Sequence, residues 1–167
     1  MKKYHILFLT FLFTSSFWNC EKDDICDATT PTTPKVVIVF YDAVATTTAK
    51  NITNLKITAT GFTSEIKYNA VSKITVPLKT FTDLATLNFT LNGSTDPTTD
   101  DNLDEVTFNY ARKTTYVSRA CGYKTTFTLN AINPVVVTPD SNNWIQNVIV
   151  SQPNIENENE THVKIYF

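Results

Sequence analysis

From residue 35 onward the chain is patterned mostly with a period of two. Leu55, Ile57 and Ala59 alternate with Lys56, Thr58 and Thr60, and Ile66 and Tyr68 with Glu65, Lys67 and Asn69. Ile74, Val76 and Leu78 alternate with Lys73, Thr75 and Pro77, and Leu87, Phe89 and Leu91 with Asn88, Thr90 and Asn92. Val106, Phe108 and Tyr110 alternate with Thr107 and Asn109. Successive side chains of a strand point to opposite faces, so each run predicts a strand with one buried face. Thr114 to Cys121 and Tyr123 to Leu129 predict two more strands joined through Gly122. Trp144 to Val150 and Val163 to Phe167 complete the set. Lys35 to Asp42 differs, because it is continuously apolar and β-branched; that predicts a strand covered on both faces. Pro77 marks a strand end or a sheet edge. No stretch after residue 26 carries a helical period. Short, evenly spaced strands with single buried faces predict an all-β chain, an antiparallel β-sandwich of immunoglobulin-like or related type, formed by one domain over residues 35–167.

The first 26 residues follow another logic. Lys2 and Lys3 precede 13 uncharged residues, Ile6 to Trp18, rich in Leu and Phe. That length suits a secretory signal and falls short of the roughly 20 residues of a membrane-spanning helix. The apolar run ends on Cys20, and Glu21-Lys22-Asp23-Asp24 follows. This resembles the signal peptide of a bacterial lipoprotein, in which the Cys becomes the acylated first residue. Lys22, Asp23 and Asp24 resemble the surface-export signal that follows such a Cys in Bacteroidota. The expectation is a signal peptide over 1–19, an acylated Cys20, and an extended Thr- and Pro-rich tether up to residue 34. Membrane attachment would then run through the lipid, with several acyl chains on one Cys needed for durable anchoring.

Charge and cysteine content narrow the function classes. The net charge is −2 and more negative once Lys2 and Lys3 are set aside; Arg112 and Arg119 are the two arginines. Nucleic-acid binding needs a phosphate-neutralising basic patch, so it is not expected. With Cys20 acylated, Cys26 and Cys121 remain. In an exported chain that pair is most simply a disulfide, the alternative being two free buried thiols.

Three segments, C-E-K-D-D-I-C at 20–26, T-T-P-K-V-V-I-V-F-Y-D at 32–42 and Y-V-S-R-A-C-G-Y-K at 116–124, together resemble a family of uncharacterised Bacteroidota lipoproteins. The resemblance implies an envelope location and supports pairing of Cys26 with Cys121. It brings no activity, ligand or catalytic residue with it.

Candidate chemistry is sparse. Asp100, Asn102 and Asp104 have the D-x-N-x-D spacing that gathers oxygens around Ca²⁺, but Glu105 stands where the loop needs Gly and Ala111 where it needs a closing Glu. A solvated hairpin loop rich in turn formers is the plainer reading. Past the signal, His162 is the one histidine, expected on the exposed face of the last strand. No G-x-S-x-G is present and zinc ligands are too few, so neither a catalytic residue nor a cofactor is expected. Tyr116, Arg119 and Tyr123 could grip a sugar or an anion; packing and cross-strand pairing are the plainer roles for the tyrosines.

The functional expectation is a lipid-anchored outer-membrane protein, on the cell surface or periplasmic face, acting as a non-enzymatic binding or accessory module for an envelope protein or glycan. The rival readings are a purely structural lipoprotein, a small hydrolase using Asp100, Asp101, Asp104 and Glu105, and a small outer-membrane barrel closed by Val163, Ile165 and Phe167.

Overall fold

The structure, a computed structural model, describes residues 25–96 and 98–167. Residues 1–24, which hold the expected signal peptide, Cys20, Lys22, Asp23 and Asp24, lie outside the described residues. The chain divides into two compact units. One contains residues 25–30 and Tyr116–Tyr123, the other Pro31–Thr115 and Lys124–Phe167.

The larger unit is a β-sandwich, as the period-two pattern requires. The strands of the chain are β1 (Val36–Tyr41), β2 (Leu55–Ala59), β3 (Glu65–Tyr68), β4 (Lys73–Val76), β5 (Leu84–Leu91), β6 (Asn102–Ser118), β7 (Gly122–Leu129), β8 (Val135–Val137), β9 (Asn147–Val150), β10 (Asn154–Ile155) and β11 (Val163–Tyr166), of which the end of β6 from Tyr116 and the start of β7 up to Tyr123 belong to the smaller unit. One sheet has the order β4-β1-β11-β9. The other has the order β10-β7-β6-β5-β2-β3, with β8 added on β6. Among the described residues there is no α-helix, and a single 3-10 turn covers Thr98–Asp100.

β1 is the centre of the smaller sheet. It pairs antiparallel with β4, Val36 opposite Val76 and Ile38 opposite Ile74, and parallel with β11, Ile38 opposite Val163 and Phe40 opposite Ile165. Val36, Val37 and Ile38 are all fully buried, so both faces are covered at the start of the strand, while Val39 and Tyr41 are half-buried. The core lies between the sheets. Val36, Ile38, Phe40, Val163 and Ile165 from one side meet Ile57, Leu87, Phe89, Val106, Phe108 and Phe127 from the other. Each such side chain contributes about 1.5–3 kcal/mol by leaving water. Phe167 is packed edge-on against Trp144 and Phe40, with ring centroids 5.6 and 5.9 Å away, and Lys50 lies 4.2 Å over its ring. β4 stops before Pro77 and is an edge strand.

Several expectations are corrected. The two strands expected at 106–110 and 114–121 are one strand of 17 residues, because Ala111-Arg112-Lys113 contains no turn former and Arg112 is held straight by Asp83 Oδ1 (2.6 Å) and the Thr80 carbonyl (2.6 Å). The strand expected at 144–150 begins only at Asn147; Trp144 and Ile145 are buried ahead of it. β8 and β10, each just after a proline, are short additions that the pattern did not reveal.

His162 is not on an exposed face. It is 1 % exposed, its backbone N–H donates to the Val37 carbonyl (3.0 Å), and its Nδ1 accepts from the Val37 N–H (2.9 Å). The side chain satisfies a buried backbone donor that no strand reaches. Burial holds the imidazole below its ordinary value of 6.5, against the opposing pull of the Glu160 and Glu158 carboxylates. The unfolded chain therefore takes up the proton first. This contribution to stability is present in full above about pH 6.5 and is lost as the pH falls through the lowered folded-state value. The expected result is a melting temperature that declines from pH 7.5 to 5.5 in the native chain and declines less in His162→Asn, whose amide oxygen can take the Nδ1 position. Equal declines in the two proteins would sink the assignment.

Candidate ligand groove and the predicted sites

The two sheets differ in width, and the mismatch leaves a groove. β2 and β3 continue the larger sheet beyond the edge strand β4. The Tyr68 hydroxyl donates to the Thr75 carbonyl at 2.5 Å and joins β3 to β4 at one point. Further along, the opening between the sheet edges is lined by side chains rather than closed by a strand. β2 and β3 contribute Ile57, Ala59 and Ile66 to the lining, β4 and the segment after it Val76, Pro77 and Leu78, and β5 Ala85 and Leu87. Phe62 and Phe81 stand at the mouth, 55 % and 68 % exposed. The groove encloses about 310 Å³, within the size range of small-ligand sites, and its surface is mostly apolar.

Local chemistry fixes this lining. Gly61 has φ +86, so the β2–β3 turn uses a left-handed conformation that glycine adopts without strain, and the Phe62 N–H closes it on the Ala59 carbonyl (3.0 Å). The segment after Pro77 is pinned from the larger sheet. The Tyr110 hydroxyl donates to the Lys79 carbonyl (2.9 Å) and Arg112 to the Thr80 carbonyl (2.6 Å). The groove is thus built in advance, which lowers the ordering cost of binding. Phe62 and Phe81 were missed by pattern reading. The available signal was a large aromatic in each of two otherwise polar turns, Gly61-Phe62-Thr63-Ser64 and Lys79-Thr80-Phe81-Thr82.

The acidic segment is divided by the fold. Asp104 continues the inward register of Val106, Phe108 and Tyr110 and is fully buried. Its Oδ2 accepts from the Ile145 N–H (2.8 Å) and its Oδ1 from the Trp144 N–H (3.3 Å). Glu105, on the opposite face, accepts from the Thr138 hydroxyl (2.9 Å). Asn102 donates to the Asn142 carbonyl (2.8 Å), and Asp101 pairs with Lys56 at 3.8 Å. Asp100 ends the 3-10 turn. Asp104 is therefore a bracket for the segment that leads into β9, with both carboxylate oxygens taken by backbone N–H groups. Among the described residues no three His, Cys, Asp or Glu gather closely enough to hold a metal ion.

In the smaller unit Cys26 and Cys121 form a disulfide, with Cα atoms 4.8 Å apart. Cys121 lies in the turn from β6 to β7, where its N–H donates to Ser118 Oγ (3.0 Å) and Gly122 has φ +69. Tyr116 and Tyr123 pack edge to face at 5.3 Å and are 57 % and 69 % exposed, so they are a cross-strand pair rather than core.

No curated protein and no solved structure matches the chain. One family model does, that of DUF6452, described as a family of unknown function, over residues 54–167. That span takes in β2 to β11 and every residue that lines the groove. A match over well over half of the chain is membership: the protein belongs to the DUF6452 family of unknown function.

Proposed function

We propose that this protein is a lipid-anchored binding module of a Bacteroidota-type outer membrane, attached through Cys20, exported under the Lys22-Asp23-Asp24 signal, and exposed at the cell surface. The groove between Phe62 and Phe81 is its ligand seat, and it works without catalysis. The observation that carries the reading is the groove itself: a preformed apolar recess whose mouth keeps two large aromatics in water. Ligand sites are typically recesses of this size lined by apolar and aromatic side chains. The N-terminal pattern supports the address, and the Cys26–Cys121 bridge suits a chain that folds outside the cytoplasm. The non-catalytic part is supported by the acidic segment, whose Asp104 is occupied by two backbone bonds.

Mass spectrometry of protein taken from its native membrane tests both halves. Under denaturing conditions the chain should begin at Cys20 and carry acyl mass. Under native conditions it should carry a small non-covalent ligand that Ala59→Phe, which fills the groove, releases. A chain retaining residues 1–19 or lacking acyl mass removes the anchor. A ligand-free native mass, unchanged when lipid extracts are added, removes the binding role and leaves a structural envelope protein.

A further inference from the structure

The groove carries one charge, and among the described residues that charge has no carboxylate partner. Lys79 is the one ionisable side chain among the described residues that line it. Acidic neighbours are engaged elsewhere: Glu65 pairs with Lys67 at 2.7 Å and Asp83 with Arg112 at 2.6 Å. The Lys79 ammonium instead lies 5.6 Å from the centre of the Phe62 ring, at the groove mouth, and the side chain is half-buried. Its backbone cannot swing away, because the Lys79 carbonyl is held by Tyr110 and the next carbonyl by Arg112. A cation carried on a held backbone, over an aromatic face at the rim of an apolar recess, is matched by a ligand with the same division.

We infer that the groove takes an amphiphile with a compact apolar body and an anionic head, a carboxylate or a phosphate, with the body on Ala59, Ile66 and Pro77 and the head on Lys79. The inference rests on the reading of the groove as a ligand seat. Recessed volume, rather than a broad flat patch, favours a small molecule over a protein surface.

The test uses the full chain in lipid nanodiscs, with empty discs subtracted, titrated calorimetrically with octanoate, octyl phosphate, octyl glucoside and octyltrimethylammonium. The anionic ligands should bind about two- to fivefold more tightly than the glucoside, the range of a half-exposed charge pair, and the cation more weakly than either. Lys79→Gln should erase that advantage and leave glucoside affinity unchanged, while Lys67→Gln should leave all four unchanged. Added salt should narrow the gap in the native chain. Whichever anion gains more identifies the head group. Equal binding of glucoside and anions, or an advantage that survives Lys79→Gln, overturns the charge assignment and leaves the groove reading standing. If none of the four binds, and a concentration-dependent dimer covers Phe62 and Phe81 instead, the groove reading fails and this inference fails with it.

Discussion

Asp104→Ala should lower the unfolding free energy by about 3–5 kcal/mol. Two buried N–H groups, of Trp144 and Ile145, lose their acceptor together, and each unsatisfied donor costs about 1–3 kcal/mol. The loss spreads, because Trp144 also donates through Nε1 to the Phe89 carbonyl (3.2 Å) and packs on Phe40 and Phe167. Asp104→Asn keeps one acceptor oxygen and should cost about half as much. Glu105→Ala, next in sequence but on the outer face, should cost under about 1 kcal/mol. Urea unfolding of the three variants measures the series. A loss for Asp104→Ala no larger than that for Glu105→Ala would refute the bracket role. Calcium should leave the midpoint of the native chain where it is, and a Ca²⁺-dependent rise that vanishes in Asp104→Ala would restore the metal reading of the acidic segment.

Removing the disulfide is the second large effect. The Cys26–Cys121 bridge spans a sequence separation of 95. In the chain-entropy account, closing a loop of that length stabilises by up to about 4–5 kcal/mol. At about 2–4 °C per kcal/mol for a chain near this size, Cys26→Ala/Cys121→Ala should melt about 10 °C lower. The segment it frees has hydrogen bonds that are local: the Thr29 N–H and hydroxyl to Asp27, and the Thr30 N–H to the Asp27 carbonyl. It should therefore gain hydrogen exchange and protease sensitivity around residues 27–30, ahead of Thr33, whose hydroxyl accepts from the Thr125 N–H (2.9 Å). The native chain treated with reductant should match the double variant. Identical melts with and without reductant would mean that the bridge contributes nothing to stability.

The strands that pattern reading located are those whose inward side chains alternate across a full core: β2, β4 and β5 announce themselves through Ile57, Ile74, Val76, Leu87 and Phe89. β1 announced its central place by being apolar at every position. What stayed hidden has a common physical cause. β6 runs past the core, and beyond Tyr110 its inward positions hold Arg112 and Thr114, so the period-two signal fades while the strand continues. Asp104 falls on the inward register of the same strand, yet sits among residues that form turns, and composition outweighed register. His162 looked outward because it neighbours Val163, but its side chain answers a backbone donor on a strand 125 residues away, and no local pattern records such a debt. The groove belongs to neither strand pattern. It arises where a wide sheet overhangs a narrow one, and only Phe62 and Phe81, out of place in polar turns, hint at it.

The parallel seam between β1 and β11 sets the order in which this fold can be completed. It joins the first and last strands of the described chain, while β1's other edge has a much nearer partner in β4. During synthesis or translocation from the N-terminus, one long side of Val36–Tyr41 waits with its backbone groups unpaired until Val163–Tyr166 arrives. That run is uncharged, free of proline and rich in β-branched residues, the composition that recruits a foreign strand most readily. Long-range pairing of this kind also slows folding. The quantity most exposed by this topology is therefore folding yield, set by a race between β11 and intermolecular pairing, rather than the stability of the finished sandwich.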